Sequence, residues 1–196
     1  ELYRGLNYPW GVAAAPQPGK PEKIAEGVYW ARFPMPMSLD HINLWLLEDD
    51  EGWTVVDTCL AIDSAKETWE QIFRDFMGGK PIVRVICTHL HPDHVGLAGW
   101  LTERFGCELW MSREEFLMCK AMASDTGRPA PNAAITFYRA AGYDETQMDV
   151  YRKKFGGFGR AISPLPDSFR RIVDGETLLD YLPNQFGLLI NPENEH

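Results

Sequence analysis

The sequence predicts a mixed α/β fold. Three observations carry that expectation: short aromatic and β-branched segments bounded by Pro and Gly, stretches with apolar residues at helical spacing, and the order strand, helix, strand. That order implies a right-handed crossover onto a parallel neighbour. A length of 196 residues with 45% hydrophobic and 12% aromatic side chains suffices for one domain with a sizeable core.

Residues 1–23 gather Pro9, Gly11, Pro16, Pro18, Gly19 and Pro21 around Tyr8 and Trp10, and read as an extended surface arm, with the domain proper over 24–196. Gly27–Phe33, Ile42–Leu47 and Trp53–Asp57 then read as consecutive strands, separated by the proline-broken Pro34-Met35-Pro36-Met37 and the acidic turn Glu48–Gly52. A first helix follows. Ser64 and Glu67 are spaced as a capping box, Trp69, Ile72, Phe73 and Phe76 recur at helical spacing, and Gly78-Gly79 stops the run. Its aromatic stripe is expected to cover a sheet whose next strand, Pro81–Cys87, is apolar enough to be buried on both faces.

Leu97, Ala98, Trp100, Leu101 and Phe105 mark a second helix ending at Gly106, and Cys107–Met111 a short strand. Residues 112–155 read as three successive helices forming an inserted subdomain, starting at Ser112 with Glu115, at Asn132 as an N-cap, and at Asp144 with Gln147. Their apolar residues, from Phe116 to Phe155, suit either a core or a pocket lid hinged at Gly156-Gly157-Phe158-Gly159. Phe169–Gly175 and Phe186–Ile190 read as two further strands.

A net charge of -9 and a pI near 5.0 argue against nucleic-acid or anionic-membrane partners, both of which require a basic face. No run of eighteen apolar residues occurs and the amino end shows no export signal, although a chain opening on Glu1 leaves a removed leader possible. Cys59, Cys87, Cys107 and Cys119 lack C-x-x-C spacing, and we expect reduced thiols in a cytoplasmic setting.

The densest chemical signal is Thr88-His89-Leu90-His91-Pro92-Asp93-His94-Val95-Gly96, which holds three of the five histidines. Imidazole nitrogens and a carboxylate are ligands that zinc, iron and manganese accept, and a loop leaving a buried strand can aim successive side chains at one point. Such a loop at the carboxyl end of a sheet strand is the usual place for an α/β active site.

His89-x-His91-x-Asp93-His94 after a buried strand, with the strand end Val55-Val56-Asp57-Thr58, resembles the metallo-β-lactamase fold superfamily. The run Asp40–Leu47 and the arm Tyr8-Pro9-Trp10-Gly11 resemble its glyoxalase-II-type metallo-hydrolase branch. The resemblance implies a four-layer αββα sandwich holding one or two zinc ions, or iron or manganese, at the sheet edge. It implies His89 and His91 as ligands of a first ion, Asp93 and His94 as ligands of a second, and metal-bound hydroxide attacking an ester, thioester, lactone or β-lactam carbonyl of a small-molecule substrate. Asp93 would orient that hydroxide or take its proton. Asp57 is placed either to hydrogen-bond a ligand or to cap a strand end, and His41 at the pocket mouth. Cys59 stands where the family commonly has glycine.

The family completes this site with a further His, a bridging Asp and a final His, yet residues 95–195 contain no histidine. Only His41 and the terminal His196 remain. About 40 residues follow the helical stretch, too few for a full second sheet with its helices. The expectation is therefore an incomplete second sheet. Either the chain is part of a longer hydrolase, or a second copy completes it along an open sheet edge, or it is a non-catalytic member with a deficient metal site.

Overall fold

The computed structural model describes residues 15–176, together with the backbone of Leu2–Tyr3 (β1) and Leu6–Asn7 (β2), which pair antiparallel. Tyr8–Gly11, the expected strand Phe186–Ile190 and His196 lie outside the described residues.

One seven-stranded sheet organises the described chain, in the order β3 (Glu22–Ala25), β4 (Val28–Pro34), β5 (His41–Glu48), β6 (Trp53–Val56), β7 (Ile82–Ile86), β8 (Glu108–Met111), β9 (Arg170–Arg171). β3 to β6 are a meander of antiparallel pairs; β6 to β9 are parallel. The change of direction has a sequence cause. Short turns join β3 to β6, whereas helix α1 (Asp63–Asp75) carries the chain from β6 back to the start of β7, and α2 (Pro92–Val95) and α3 (Ala98–Phe105) carry it from β7 to β8.

Alternation along the strands separates two faces. Phe33, Leu44, Leu46, Val55, Val85, Leu109 and Met111 point to one face and are almost wholly buried beneath Trp69 and Ile72 of α1 and Leu101 of α3. The aromatic stripe is core, as its spacing predicts. Trp69 packs on Phe33 with ring centroids 5.0 Å apart, and Phe73 meets both Trp100 and Phe105, locking α1 to α3. The opposite face carries a small cluster, Leu47, Val56 and Ile86, flanked by Val28, Trp110 and Ile172, to which no helix contributes among the described residues.

Two expected helix starts are placed differently. α1 begins at Asp63 after Ile62, and Ser64 makes no capping contact; its carbonyl accepts the Thr68 hydroxyl instead. The chain is already committed to the helix there, because Ile62 donates to Leu60 and accepts from Lys66. The N-cap of α5 (Asn132–Ala140) is Pro131, so Asn132 sits inside the first turn with no side-chain cap. By contrast Ser112 caps α4 (Arg113–Ser124), and Asp144 and Gln147 form a complete capping box on α6 (Glu145–Lys154). The strand expected over Phe169–Gly175 shrinks to Arg170–Arg171, because Glu176 folds back to hold the Val173 amide and Gly175, at φ 78°, turns the chain.

Candidate metal centre

The candidate site is built where the carboxyl ends of β6 and β7 lie side by side, Val56 level with Ile86. After β6 the chain makes a tight loop, Asp57-Thr58-Cys59, in which Asp57 and Cys59 both take left-handed backbone angles, φ 64° and 69°. Aspartate tolerates that region better than most residues. Cysteine does not, which is why glycine would suit position 59. The strain is held by surrounding bonds: Asp57 N donates to Ile86 O, Thr58 N to His94 O, and Leu97 N to Cys59 O.

This loop clamps the histidine segment. Thr58 Oγ1 donates to His94 O at 2.8 Å and accepts from Leu97 N at 3.0 Å, while Trp69 Nε1 reaches across from α1 to Thr58 O at 3.0 Å. Gly96 lets the two segments meet. A Cβ there would lie 2.4 Å from both Cys59 O and Pro92 O.

Asp57 is the anchor of the site and is nearly buried, at 5% exposure. Its carboxylate accepts the Thr88 amide at 2.8 Å, the Thr88 hydroxyl at 2.9 Å and His94 Nδ1 at 2.8 Å. A carboxylate only accepts, so Nδ1 carries the proton and Nε2 is left facing Asp93, whose Oδ2 is 3.6 Å away. Burial by itself would lower the His94 pKa, but the Asp57 hydrogen bond and the charges of Asp57 and Asp93 outweigh it and hold the imidazole above its ordinary value. His89 is shifted the other way, down, chiefly by burial and then by His94 and His91 beside it. Its Nε2 lies 2.8 Å from His91 Nδ1, and its ring centroid 3.9 Å from that of His94.

The structure thus brings His89, His91, Asp93, His94 and Asp57 together. His41 is less closely tied. Its ring bonds Asp40 at 2.5 Å, and since β5 pairs Trp45 with Val56, His41 extends past the carboxyl end of β6, at the same end of the sheet as the histidine loop. Two contributors carry no chemical signature in the sequence: Thr88, whose hydroxyl sits between Asp57 and both His89 and His94, and Glu115, whose carboxylate accepts the Leu90 amide.

The donors suit zinc in type and nearly in spacing. Two nitrogens on one tetrahedral zinc stand roughly 3.3 Å apart given bonds of about 2.0–2.1 Å, against 2.8 Å for His89 and His91. They form pairs, however. Among the described residues no group of three or more His, Cys, Asp or Glu side chains converges as a metal site requires. These residues alone therefore fit half of a centre.

The described residues include no helix long and apolar enough to cross a membrane. All four cysteines are free thiols.

A metallo-beta-lactamase superfamily profile matches residues 37–178, which include every histidine-loop residue and Asp57. Among solved structures the chain is similar to a beta-lactamase domain protein from Burkholderia ambifaria, at 36% identity and a TM-score of 0.71, covering 88% of this chain and 50% of that one. It is also similar to a metallo-beta-lactamase family protein from Thermus thermophilus, at 22% identity and TM-score 0.52, covering 80% and 49%. A subclass B3 metallo-beta-lactamase of Bradyrhizobium japonicum shares the fold at 14% identity and TM-score 0.50, covering 83% and 47%. No curated protein matches. The chain spans about half the length of these solved relatives. With a family profile over most of its length and a 36% identical structural relative, the chain belongs to the metallo-beta-lactamase superfamily.

Proposed function

We propose that this chain carries the amino-terminal half of a metal-dependent hydrolase site, with His89 and His91 serving one ion and Asp93 and His94 a second. The observation that supports it is two donor pairs, His89 with His91 and His94 with Asp93, the second braced by Asp57, at the carboxyl ends of β6 and β7. Bound zinc, or iron or manganese in its place, would supply Lewis acidity and an activated water for attack on an ester, thioester, lactone or β-lactam carbonyl. The chain's own residues do the positioning. Asp57 accepts the Nδ1–H of His94 in a hydrogen bond and so turns its Nε2 lone pair toward Asp93; burial, then the neighbouring His94 and His91, lower the His89 pKa and so favour its neutral, ligand form; Asp93, beside His94 Nε2, would orient that water.

Membership of the glyoxalase-II-type branch, a small-molecule substrate, a cytoplasmic setting and a His41 at the pocket mouth belong to the same proposal. So do a three-helix inserted subdomain and a second copy paired along the sheet edge, which size-exclusion chromatography tests.

A second reading, a family member with a deficient and non-catalytic metal site, is favoured by the lack of a three-donor group among the described residues. Metal analysis with a panel of ester, thioester, lactone and β-lactam substrates separates the two. About two retained ions per chain with turnover of any substrate supports the hydrolase. Retained metal without turnover supports the second reading, and no retained metal overturns the hydrolase reading for this chain.

A further inference from the structure

Helix α4 starts beside the histidine loop, and one of its side chains enters that loop. Ser112 caps the helix by accepting the Glu115 amide at 3.2 Å, but the Glu115 carboxylate is used elsewhere: its Oε2 accepts the Leu90 N–H at 2.6 Å. Leu90 is the residue between His89 and His91, in a stretch that is neither helix nor strand, so no ladder of backbone bonds fixes it. A bond from an amide to an ionised acceptor is among the stronger hydrogen bonds, and it fixes the peptide from which the imidazoles on either side depart. The acceptor is itself fixed. Phe116, adjacent in α4, is buried and stacked on Phe169 with centroids 4.0 Å apart, and Cys119 one turn on is fully buried.

We infer that Glu115 is a positioning residue for the histidine pair: by gripping the Leu90 amide it holds His89 Nε2 and His91 Nδ1 near the separation that one metal ion spans. The inference rests on the metal-site reading proposed above. Its action is indirect, through backbone rather than through any contact with substrate.

The test compares the parent chain, Glu115→Ala and Glu115→Gln by three readouts: Zn²⁺ affinity in competition with a chromophoric chelator, exchange of the Leu90 amide, and ring ¹⁵N shifts of His89 and His91 without metal. Glu115→Ala is expected to weaken zinc binding by about 10- to 100-fold, as loss of a group that orients ligands does, to speed Leu90 exchange and to move both ring signals. Glu115→Gln keeps an acceptor oxygen and should restore all three, with zinc affinity within about threefold of the parent. Glu115→Ala with parental Leu90 exchange and ring shifts overturns the inference. So does unchanged zinc affinity in a chain that binds zinc. If the parent takes up no zinc while Glu115→Ala still deprotects Leu90 and shifts both rings, the metal reading fails and the brace stands.

Discussion

Removal of the Asp57 carboxylate tests the reasoning about the site most directly. Asp57→Ala leaves the Thr88 amide, the Thr88 hydroxyl and His94 Nδ1 without their shared acceptor, at a position only 5% exposed. Hydrogen bonds to a charged group contribute about 1.5–3 kcal/mol each, but three donors on one carboxylate are not additive, and Thr88 and His94 can recover some water. Leaving these donors without their one shared acceptor, two of them within reach of water, therefore costs about 2–4 kcal/mol. For a chain of this length each kcal/mol lowers Tm by about 2–4 °C, so Asp57→Ala should melt on the order of 10 °C early. Asp57→Asn separates charge from shape. Asparagine accepts the left-handed φ of 64° as readily as aspartate and keeps one oxygen for the Thr88 amide, so its loss should be only about 1–2 kcal/mol. Thermal and urea unfolding of both variants give the answer. If both lie within about 0.5 kcal/mol of the parent, as ordinary surface substitutions do, Asp57 is no anchor and the reasoning fails.

Other outcomes follow from the same geometry. Gly96→Ala would force a methyl to 2.4 Å from two backbone oxygens, Cys59 O and Pro92 O, and should cost several kcal/mol or abolish soluble protein; a Tm within about 2 °C of the parent would refute the close approach. Trp69→Ala removes a fully buried indole that also donates to Thr58 O, with an expected loss of about 3–5 kcal/mol by urea denaturation. Burial pushes Cys59 up to about 12 and Cys107 and Cys119 each to about 11, and holds Cys87 well above its ordinary range. Iodoacetamide at about pH 8 should therefore label the native chain far more slowly than the urea-unfolded chain, and rapid native labelling would contradict that burial. If zinc binds only the folded chain, a hundredfold excess over Kd should add about 2.7 kcal/mol, reversible by chelator; a zinc-insensitive Tm would argue against a folded metal site.

Much of this molecule follows from local pattern. Strands β4 to β8 and helices α1 and α3 sit close to where aromatic, β-branched and apolar runs, helical spacing and glycine stops put them, because composition and apolar period are properties of the chain itself. The H-x-H-x-D-H spacing likewise marks the donor loop before any folding is considered. Caps were less legible. Ser64 and Asn132 have the composition of helix starts, yet the chain enters both helices a residue or more away, since cap use depends on where the preceding loop is held. The apolar residues of α4 to α6 were ambiguous for a related reason: Phe116 and Met148 are core, whereas Met118 and Phe137 are 54% and 67% exposed. Spacing alone does not say which face meets a neighbour.

The sequence by itself determined the family, the donor loop and the order of elements that places this loop at a strand's carboxyl end. Only the tertiary structure decided how the loop is held. Asp57 lies 37 residues from His94 in sequence, where the resemblance offers it either as a ligand's hydrogen-bond partner or as a strand-end cap, and Glu115 lies 25 from Leu90 and reads only as part of a helix start; the parallel β6–β7 pairing and the α4 start bring each within hydrogen-bond reach. The physical reason is that a ligand's identity is local chemistry, whereas its orientation is set by contacts distant along the chain.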